Sequence, residues 1–159
     1  MNVVRVRVAE DPADRQACFA VRRAVFIVEQ GVSEDIEYDV FDEPEADTVH
    51  VVAVDTEGAP LGTGRLLHGP AAAERTGGDP TIGSLGRLAV LRTARGRGVG
   101  VALVQAVEEA ARDRGLKAVD LHAQSHALGF YERLGYAPYG EEMTEAGIPH
   151  RSMRRELHD

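Results

Sequence analysis

The chain has 159 residues, of which 43% are hydrophobic and 28% charged, and it carries a net charge of −8 at pH 7. These values predict one globular domain over residues 1–159. The acidic balance argues against a nucleic-acid partner, because such proteins present a basic surface, and no apolar run approaches the ~20 residues of a membrane span. Cys18 is the single cysteine, which excludes an intrachain disulfide, and the first residues do not resemble a signal peptide. We therefore expect a cytoplasmic location, with no nucleic acid and no membrane.

The first third of the chain predicts one strand and one helix. Val4, Val6 and Val8 alternate with arginines, which is typical of a strand with one buried face. Asp11 and Pro12 form a helix start, and the helix is expected to continue to about Val25, with Cys18 in the core. The segment 34–47 holds eight acids and no Lys or Arg, and is expected to be irregular or briefly helical.

The remaining elements alternate strands and helices. Val49–Val54 and Leu61–His68 are predicted as a hairpin, residues 69–80 as a mobile loop, Ile82–Val90 as a strand and Val99 to about Gly115 as an amphipathic helix. Residues 117–124 follow as a strand and 127–134 as a short helix, with at least one more strand before about Glu156. This order predicts an α+β (mixed α/β) sheet with helices on its faces.

A loop rich in glycine and arginine, with the sequence RTARGRGVG, lies at 92–100 between a predicted strand and a predicted helix. A helix N-terminus presents unpaired N–H groups and partial positive charge, and glycines let an anion approach them closely. The arginines would add charge-assisted contacts. Neither the Walker pattern nor G-x-G-x-x-G is present. The loop therefore indicates a phosphate or diphosphate seat, against the alternative of a tight turn with surface arginines.

Two linked motifs resemble the GNAT N-acetyltransferase superfamily. Arg95-x-x-Gly98-x-Gly100 follows a strand that ends in RLAV, and ALGFYERLGY at 127–136 follows a later strand. The segments VFIVEQGV, LHAQ and AGIPHRSM resemble its ElaA/YjcF-like branch. The resemblance runs from about Val4 to about Arg154, and it implies a mostly antiparallel sheet that splays apart to admit acyl-CoA.

The resemblance also implies acetyl-CoA as donor and assigns residues to it. The main chain of Leu88, Ala89 and Val90 would pair with the pantetheine amides, as an added strand does. The phosphates would be held by the turn and its arginines, which are Arg95, Gly96, Arg97, Gly98, Val99 and Gly100, with Arg92 or Arg133 adjacent. Phe130 would pack against the donor. Ser125 or His126 stands where many members have a pantetheine-binding Asn.

The chemistry that the resemblance implies is attack of a primary amine on a thioester, within a ternary complex. Tyr131 occupies the position of the family's general acid, and a phenol is protonated at pH 7. Glu29 and His122 are the candidate bases, and neither is preferred; His150 is a further histidine near the predicted site. Asp39 and Asp42 are interpreted either as solvated acids or as an acidic lip that attracts a cationic acceptor.

The acceptor would be a small-molecule or peptide amine, which we expect to be cationic, and a homodimer is compatible with the family. No histidine cluster with metal-ligand spacing is visible, so we expect no metal. The alternative from a different class is a non-catalytic acyl-CoA sensor, and the presence of Tyr131 favours the enzyme.

Overall fold

The computed structural model describes residues 4–158, so the first three residues and the last residue of the predicted domain lie outside the described part. Its strands form one seven-stranded sheet, in the order β1-β2-β3-β4-β5-β7-β6. Only β4 and β5 are parallel neighbours, and the other neighbouring strands are antiparallel. The strands are β1 Arg5–Val8, β2 Val49–Val54, β3 Pro60–Leu67, β4 Ile82–Val90, β5 Ala118–Gln124, β6 Ala137–Glu145 and β7 Ile148–Glu156.

Five α-helices accompany the sheet in the described residues: α1 Pro12–Arg22, α2 Glu34–Glu37, α3 Ala73–Thr76, α4 Val99–Asp113 and α5 Leu128–Arg133. The Asp11 carboxylate caps α1 by accepting from the Asp14 N–H at 2.8 Å. Wider π-helical turns then continue α1 over Arg23–Glu29. The predicted helix end near Val25 is therefore four residues too early, and the continuation brings Glu29 toward the centre of the sheet.

The two long helices cover opposite faces of the sheet. Alternate residues of β2 divide between them: Val52 and Val54 pack with Cys18 of α1, whereas Val51 belongs to the cluster that contains Leu103 of α4. Because strand side chains alternate between faces, one apolar strand supplies two cores. The predicted fold class and the core position of Cys18, which is fully buried, are confirmed.

The centre of the sheet opens between β4 and β5. These strands pair only over Ile82–Leu85 and Ala118–Leu121, although β4 continues to Val90 and β5 to Gln124. In the same region β4 carries a bulge against β3, and Arg87 in this bulge has φ of 53°. A bulge bends the strand that contains it. The resulting gap is the splayed sheet that the family resemblance implied.

One prediction about a connecting segment needs revision. Residues 69–80 are not simply a loop, because a 3-10 turn at Gly69–Ala72 leads into α3. Ala72 is fully buried, and the Thr76 hydroxyl donates to the Ala72 carbonyl at 3.0 Å, so packing and a local hydrogen bond order this segment. The chain after α5, for which the sequence predicts at least one strand, forms the β6–β7 hairpin. Within 4–158, no helix has the length and apolarity needed to cross a membrane.

Candidate active site

A cavity of about 850 Å³ occupies the gap between the separated strands. Its walls are the ends of β4 and β5, the π-helical turns after α1, the start of α4 and the residues of α5 that face inward. The β6–β7 turn and α3 close the other end. The cavity therefore runs from the glycine-rich turn to a polar end lined by arginine, histidine and glutamate.

The glycine-rich turn presents unpaired backbone donors. Gly96 and Gly98 both have φ of 79°, and a side chain at either would meet nothing within 4 Å. Within the described chain, the N–H groups from Gly96 to Val101 have no recorded acceptor, and the first bond of α4 runs from the Ala102 N–H to the Gly98 carbonyl at 3.1 Å. Positive φ favours glycine because it has no Cβ. The turn therefore leaves backbone donors unpaired at a helix N-terminus, which favours the binding of an anion.

The arginines of this turn have partners inside the protein. The Arg95 guanidinium donates to both Glu29 carboxylate oxygens, at 2.7 and 2.8 Å, and to the Val90 carbonyl at 3.0 Å. Arg97 donates to the Thr93 carbonyl at 2.7 Å. The hydrogen bond from Arg95 lowers the pKa of Glu29, which is therefore ionised at neutral pH. In this arrangement Glu29 neutralises a cation beside the turn.

Tyr131 reaches the cavity from α5. Its side chain is 7% exposed, and its ring packs edge-on against Phe130 and Tyr136 with centroid distances of 5.0 and 5.9 Å. Burial raises the pKa of the Tyr131 phenol well above its usual value. The hydroxyl accordingly stays protonated at neutral pH, and within 4–158 it makes no recorded hydrogen bond. It is available to donate a proton into the cavity.

His122 and Glu145 form a polar pair in the cavity wall. The His122 Nδ1 lies 2.7 Å from a Glu145 carboxylate oxygen. A carboxylate accepts, so Nδ1 carries the proton in this contact, and in the neutral imidazole Nε2 is then an acceptor. The hydrogen bond to His122 lowers the pKa of Glu145, which keeps the carboxylate ionised. A neutral imidazole oriented by a carboxylate in this way is suited to accept a proton from an acceptor group.

The acids interpreted as a lip are largely neutralised. The Asp42 side chain is 7% exposed and accepts from Arg22 at 2.7 Å and from Arg65 at 3.0 Å. Burial alone would raise the pKa of Asp42, but the hydrogen bond and charge of Arg22 lower it far below its usual value. Asp39 lines the cavity, yet its carboxylate is bound by Arg65 at 2.8 Å. The interpretation of Asp42 as part of an acidic lip is therefore wrong, because its charge is used inside the protein.

Most of the predicted site residues meet in this one cavity. It is lined by Glu29, Leu88, Ala89, Val90, Arg95, Gly96, Gly100, His122, Phe130 and Tyr131. Five others lie outside its lining: Arg97, Gly98, Val99, Ser125 and Arg133. The Ser125 hydroxyl donates instead to Glu142 at 3.0 Å, the Val99 side chain belongs to the core, and Arg133 is exposed.

Several lining residues had no assignment from the sequence. Glu145 is the last residue of β6 and Arg75 lies on α3; neither segment carries a recognisable motif, and the fold brings both residues to the cavity. Gln30 and Gln124 exchange amide hydrogen bonds of 3.0 and 3.3 Å, which join the end of the π-helical turns to the end of β5. The sequence indicated this end of the cavity through His122 and through His150 and Asp39, all three of which line it.

The residues fit an acyl-CoA. The open N–H groups from Gly96 to Val101 suit a diphosphate, and the unpaired edge of β4 suits an extended chain with amides. Gly86 in that edge has room for neighbouring atoms, since a Cβ there would meet nothing within 4 Å. Within residues 4–158 no group of three or more His, Cys, Asp or Glu is placed to hold a metal ion.

A mixed sheet split at its centre, with an anion seat and a buried tyrosine in the gap, defines an acyl-CoA-dependent acyltransferase. The chain belongs to the GNAT acetyltransferase family, because the family model "Acetyltransferase (GNAT) domain" matches residues 9–157. It is 35% identical to the uncharacterized N-acetyltransferase YjcF of Bacillus subtilis over 94% of this chain and 97% of that one.

Two solved structures share the fold over nearly the whole chain. Escherichia coli ElaA has a TM-score of 0.79 and 27% identity, covering 98% of this chain and 100% of ElaA. An acyl-CoA N-acyltransferase from Pseudomonas aeruginosa has a TM-score of 0.76 and 30% identity, covering 98% and 99%. The resemblance to the ElaA/YjcF-like branch is confirmed.

Proposed function

We propose that the protein transfers an acetyl group from acetyl-CoA to a primary amine by direct attack in a ternary complex. The observation that carries this proposal is the single cavity between β4 and β5, which brings together the glycine-rich turn, Tyr131 and His122. The turn serves the donor, and the polar end serves the acceptor. Bound acetyl-CoA supplies the thioester carbonyl that the amine attacks and the thiolate that leaves.

The glycine-rich turn would hold the donor by its diphosphate. Within 4–158, the N–H groups from Gly96 to Val101 are left without a backbone acceptor at the N-terminus of α4, and the helix dipole adds positive potential there. Arg95 stands beside them and would contribute a charge-assisted bond once it leaves Glu29. The main chain of Leu88–Val90 would pair with the amides of the pantetheine arm.

His122 is the base that the geometry favours over Glu29. A primary amine of lysine type is mostly protonated at neutral pH and must lose a proton before it attacks. Nε2 of His122 is left as an acceptor by the Nδ1 contact with Glu145, whereas both oxygens of Glu29 accept from Arg95. His122 would therefore take the amine proton, directly or through one water.

Tyr131 would return a proton to the leaving sulfur. The thiolate of an alkyl thiol is basic at neutral pH because its conjugate acid has a pKa of roughly 8.5. The Tyr131 hydroxyl is protonated, lines the cavity and has no recorded partner within 4–158. Phe130 would hold the donor in place, because its ring lies against Gly100 at the start of α4.

Calorimetric titration with acetyl-CoA tests the donor site. We expect saturable binding by the wild type and weakening by at least about 100-fold in Gly98→Glu, whose carboxylate would enter the anion seat. Absence of binding by the wild type would refute the proposal. Thermal melting of both proteins checks that Gly98→Glu is folded.

A pair of tyrosine variants tests catalysis. Tyr131→Phe should lower kcat about 100-fold or more and leave the Kd for acetyl-CoA within about twofold. Tyr136→Phe is the matched control, because the Tyr136 hydroxyl donates to Glu108 at 2.8 Å in the core and does not line the cavity. It should lower stability and retain turnover. A wild type that binds acetyl-CoA but releases no CoA with any amine, and is indifferent to Tyr131→Phe, would instead be a sensor.

A further inference from the structure

The acids that line the cavity all have basic partners, but in the described chain its arginines do not all have acidic ones. Each of its four acids has a basic partner: Glu29 has Arg95, Glu37 has Arg22, Asp39 has Arg65 and Glu145 has His122. Two of its three arginines, Arg87 and Arg95, are bound to these acids. Arg75 is the third, and within residues 4–158 no carboxylate lies within 4.0 Å of it. The acceptor end thus offers a guanidinium without a close ion-pair partner among the described residues, although its charge adds to the hydrogen bond of His122 in lowering the pKa of Glu145.

The contact between Arg75 and His122 does not satisfy the guanidinium. An Arg75 nitrogen lies 3.5 Å from His122 Nδ1, which itself lies 2.7 Å from Glu145. Nδ1 either donates to Glu145 or accepts from Arg75, because one ring nitrogen cannot do both. The shorter contact with an ionised carboxylate prevails, so the Arg75 N–H groups in the cavity are available to a ligand.

Arg75 is held in place by an ordered segment. It lies on α3, where Ala72 is fully buried and Thr76 is 5% exposed on either side of it. Its side chain is partly buried and lines the cavity together with His122. The Arg75 guanidinium lies beside Nδ1 of His122, and Nε2 is the proposed proton acceptor. A ligand group bound by Arg75 and the amine that loses its proton would therefore lie one imidazole ring apart.

Resting on the proposed function, we propose that the acceptor amine also carries a carboxylate, as a small amino acid does, and that Arg75 binds this carboxylate. The amine would lie at His122 Nε2 and the carboxylate at Arg75, on the same side of the cavity. A planar guanidinium binds a carboxylate through two parallel hydrogen bonds, which also orients the amine. This acceptor differs from the cationic one expected from the sequence, because the acids that suggested a cation are neutralised by arginines.

Matched acceptors test this proposal. The common amino acids and their carboxamides, together with spermidine and putrescine, are offered to the wild type with acetyl-CoA, and CoA release is measured. We expect kcat/KM for the best amino acid to exceed that of its carboxamide by about 10-fold or more, since charged hydrogen bonds are the stronger ones. Equal use of the carboxamide, or acetylation of the polyamines alone, would overturn the proposal and leave the acetyltransferase function standing.

Arginine variants make the assignment residue-specific. Arg75→Gln should raise KM for the amino acid about 10- to 100-fold and leave the Kd for acetyl-CoA unchanged. Arg75→Lys should recover part of the loss, which a purely structural role would not predict. Arg5→Gln, an exposed arginine of β1 remote from the cavity lining, is the control and should match the wild type. An unchanged preference in Arg75→Gln would overturn the proposal, whereas a wild type that acetylates no amine in the panel would overturn the proposed function as well.

Discussion

The Glu29 carboxylate and the Arg95 guanidinium are joined by two hydrogen bonds, of 2.7 and 2.8 Å, between the end of the first helix and the glycine-rich turn. Arg92 approaches the same carboxylate at 3.5 Å. The carboxylate therefore holds two of the three arginines of the segment 92–100. An anionic donor would have to compete with Glu29 for Arg95.

Replacing Glu29 by Gln should tighten the binding of CoA. An ion pair as exposed as this one contributes at most about 1 kcal/mol, so we expect a decrease in Kd of about two- to fivefold, measured by calorimetry. Glu109→Gln is the control, because Glu109 forms its exposed pair with Arg112 within α4. A loss of kcat of about 100-fold with an unchanged Kd would instead identify Glu29 as the base.

Replacing Glu145 by Gln should slow turnover without weakening the donor. The carboxylate orients His122 and stabilises the imidazolium that forms when the amine loses its proton, so kcat should fall by at least about 10-fold. Steady-state kinetics with acetyl-CoA varied should show an unchanged KM for the donor. Glu142→Gln, on the same strand but outside the cavity lining, should retain the wild-type kcat. A normal rate in Glu145→Gln would contradict the role of His122 as base.

His50 should make stability depend on pH. It is 4% exposed and packs edge-on against Phe19 at 5.7 Å, and its burial lowers its pKa to about 4. The unfolded chain binds this proton near pH 6.5, so the stabilisation is complete above that pH and is lost as the pH falls toward 4.

Urea unfolding at pH 7 and pH 4.5 measures this effect. The wild type should lose about 2–3 kcal/mol of unfolding free energy from His50 over this interval. His50→Gln should show a smaller loss, and His158→Gln, at an exposed position, should follow the wild type. Equal pH dependence in all three proteins would exclude His50 as the source.

Replacing Asp42 by Asn should destabilise the protein by about 3–5 kcal/mol, because two buried guanidiniums, Arg22 and Arg65, would lose a shared carboxylate. Asp14→Asn is the matched control, since Asp14 also receives two hydrogen bonds from an arginine, Arg7, but at the surface. It should cost about 1 kcal/mol or less in urea unfolding. Similar losses in the two variants would contradict the importance of burial.

The features predicted correctly from the sequence are local in the chain. About ten consecutive residues are enough to recognise the glycine-rich turn, the alternating strands or the helix that carries Tyr131. Asp42 was misinterpreted because its partners Arg22 and Arg65 are 20 and 23 residues away and on other elements. Arg75 and Glu145 were not predicted as site residues for the same reason. The fold, and not a short motif, brings α3 and the β6–β7 turn beside His122.

β4 and β5 pair over only four residues each, so the hydrogen bonding of the sheet is interrupted at its centre. Beyond these paired residues, the unpaired backbone edges of β4 and β5 face each other at Gly86–Val90 and His122–Gln124. An edge facing solvent invites another chain to pair with it, and proteins normally block such edges. Here both edges line one cavity, where a ligand slender enough to lie between two strands would meet their hydrogen-bonding groups. Because both edges face into the gap and not outward from the rim of the sheet, the opening adds no outer edge strand to β1 and β6.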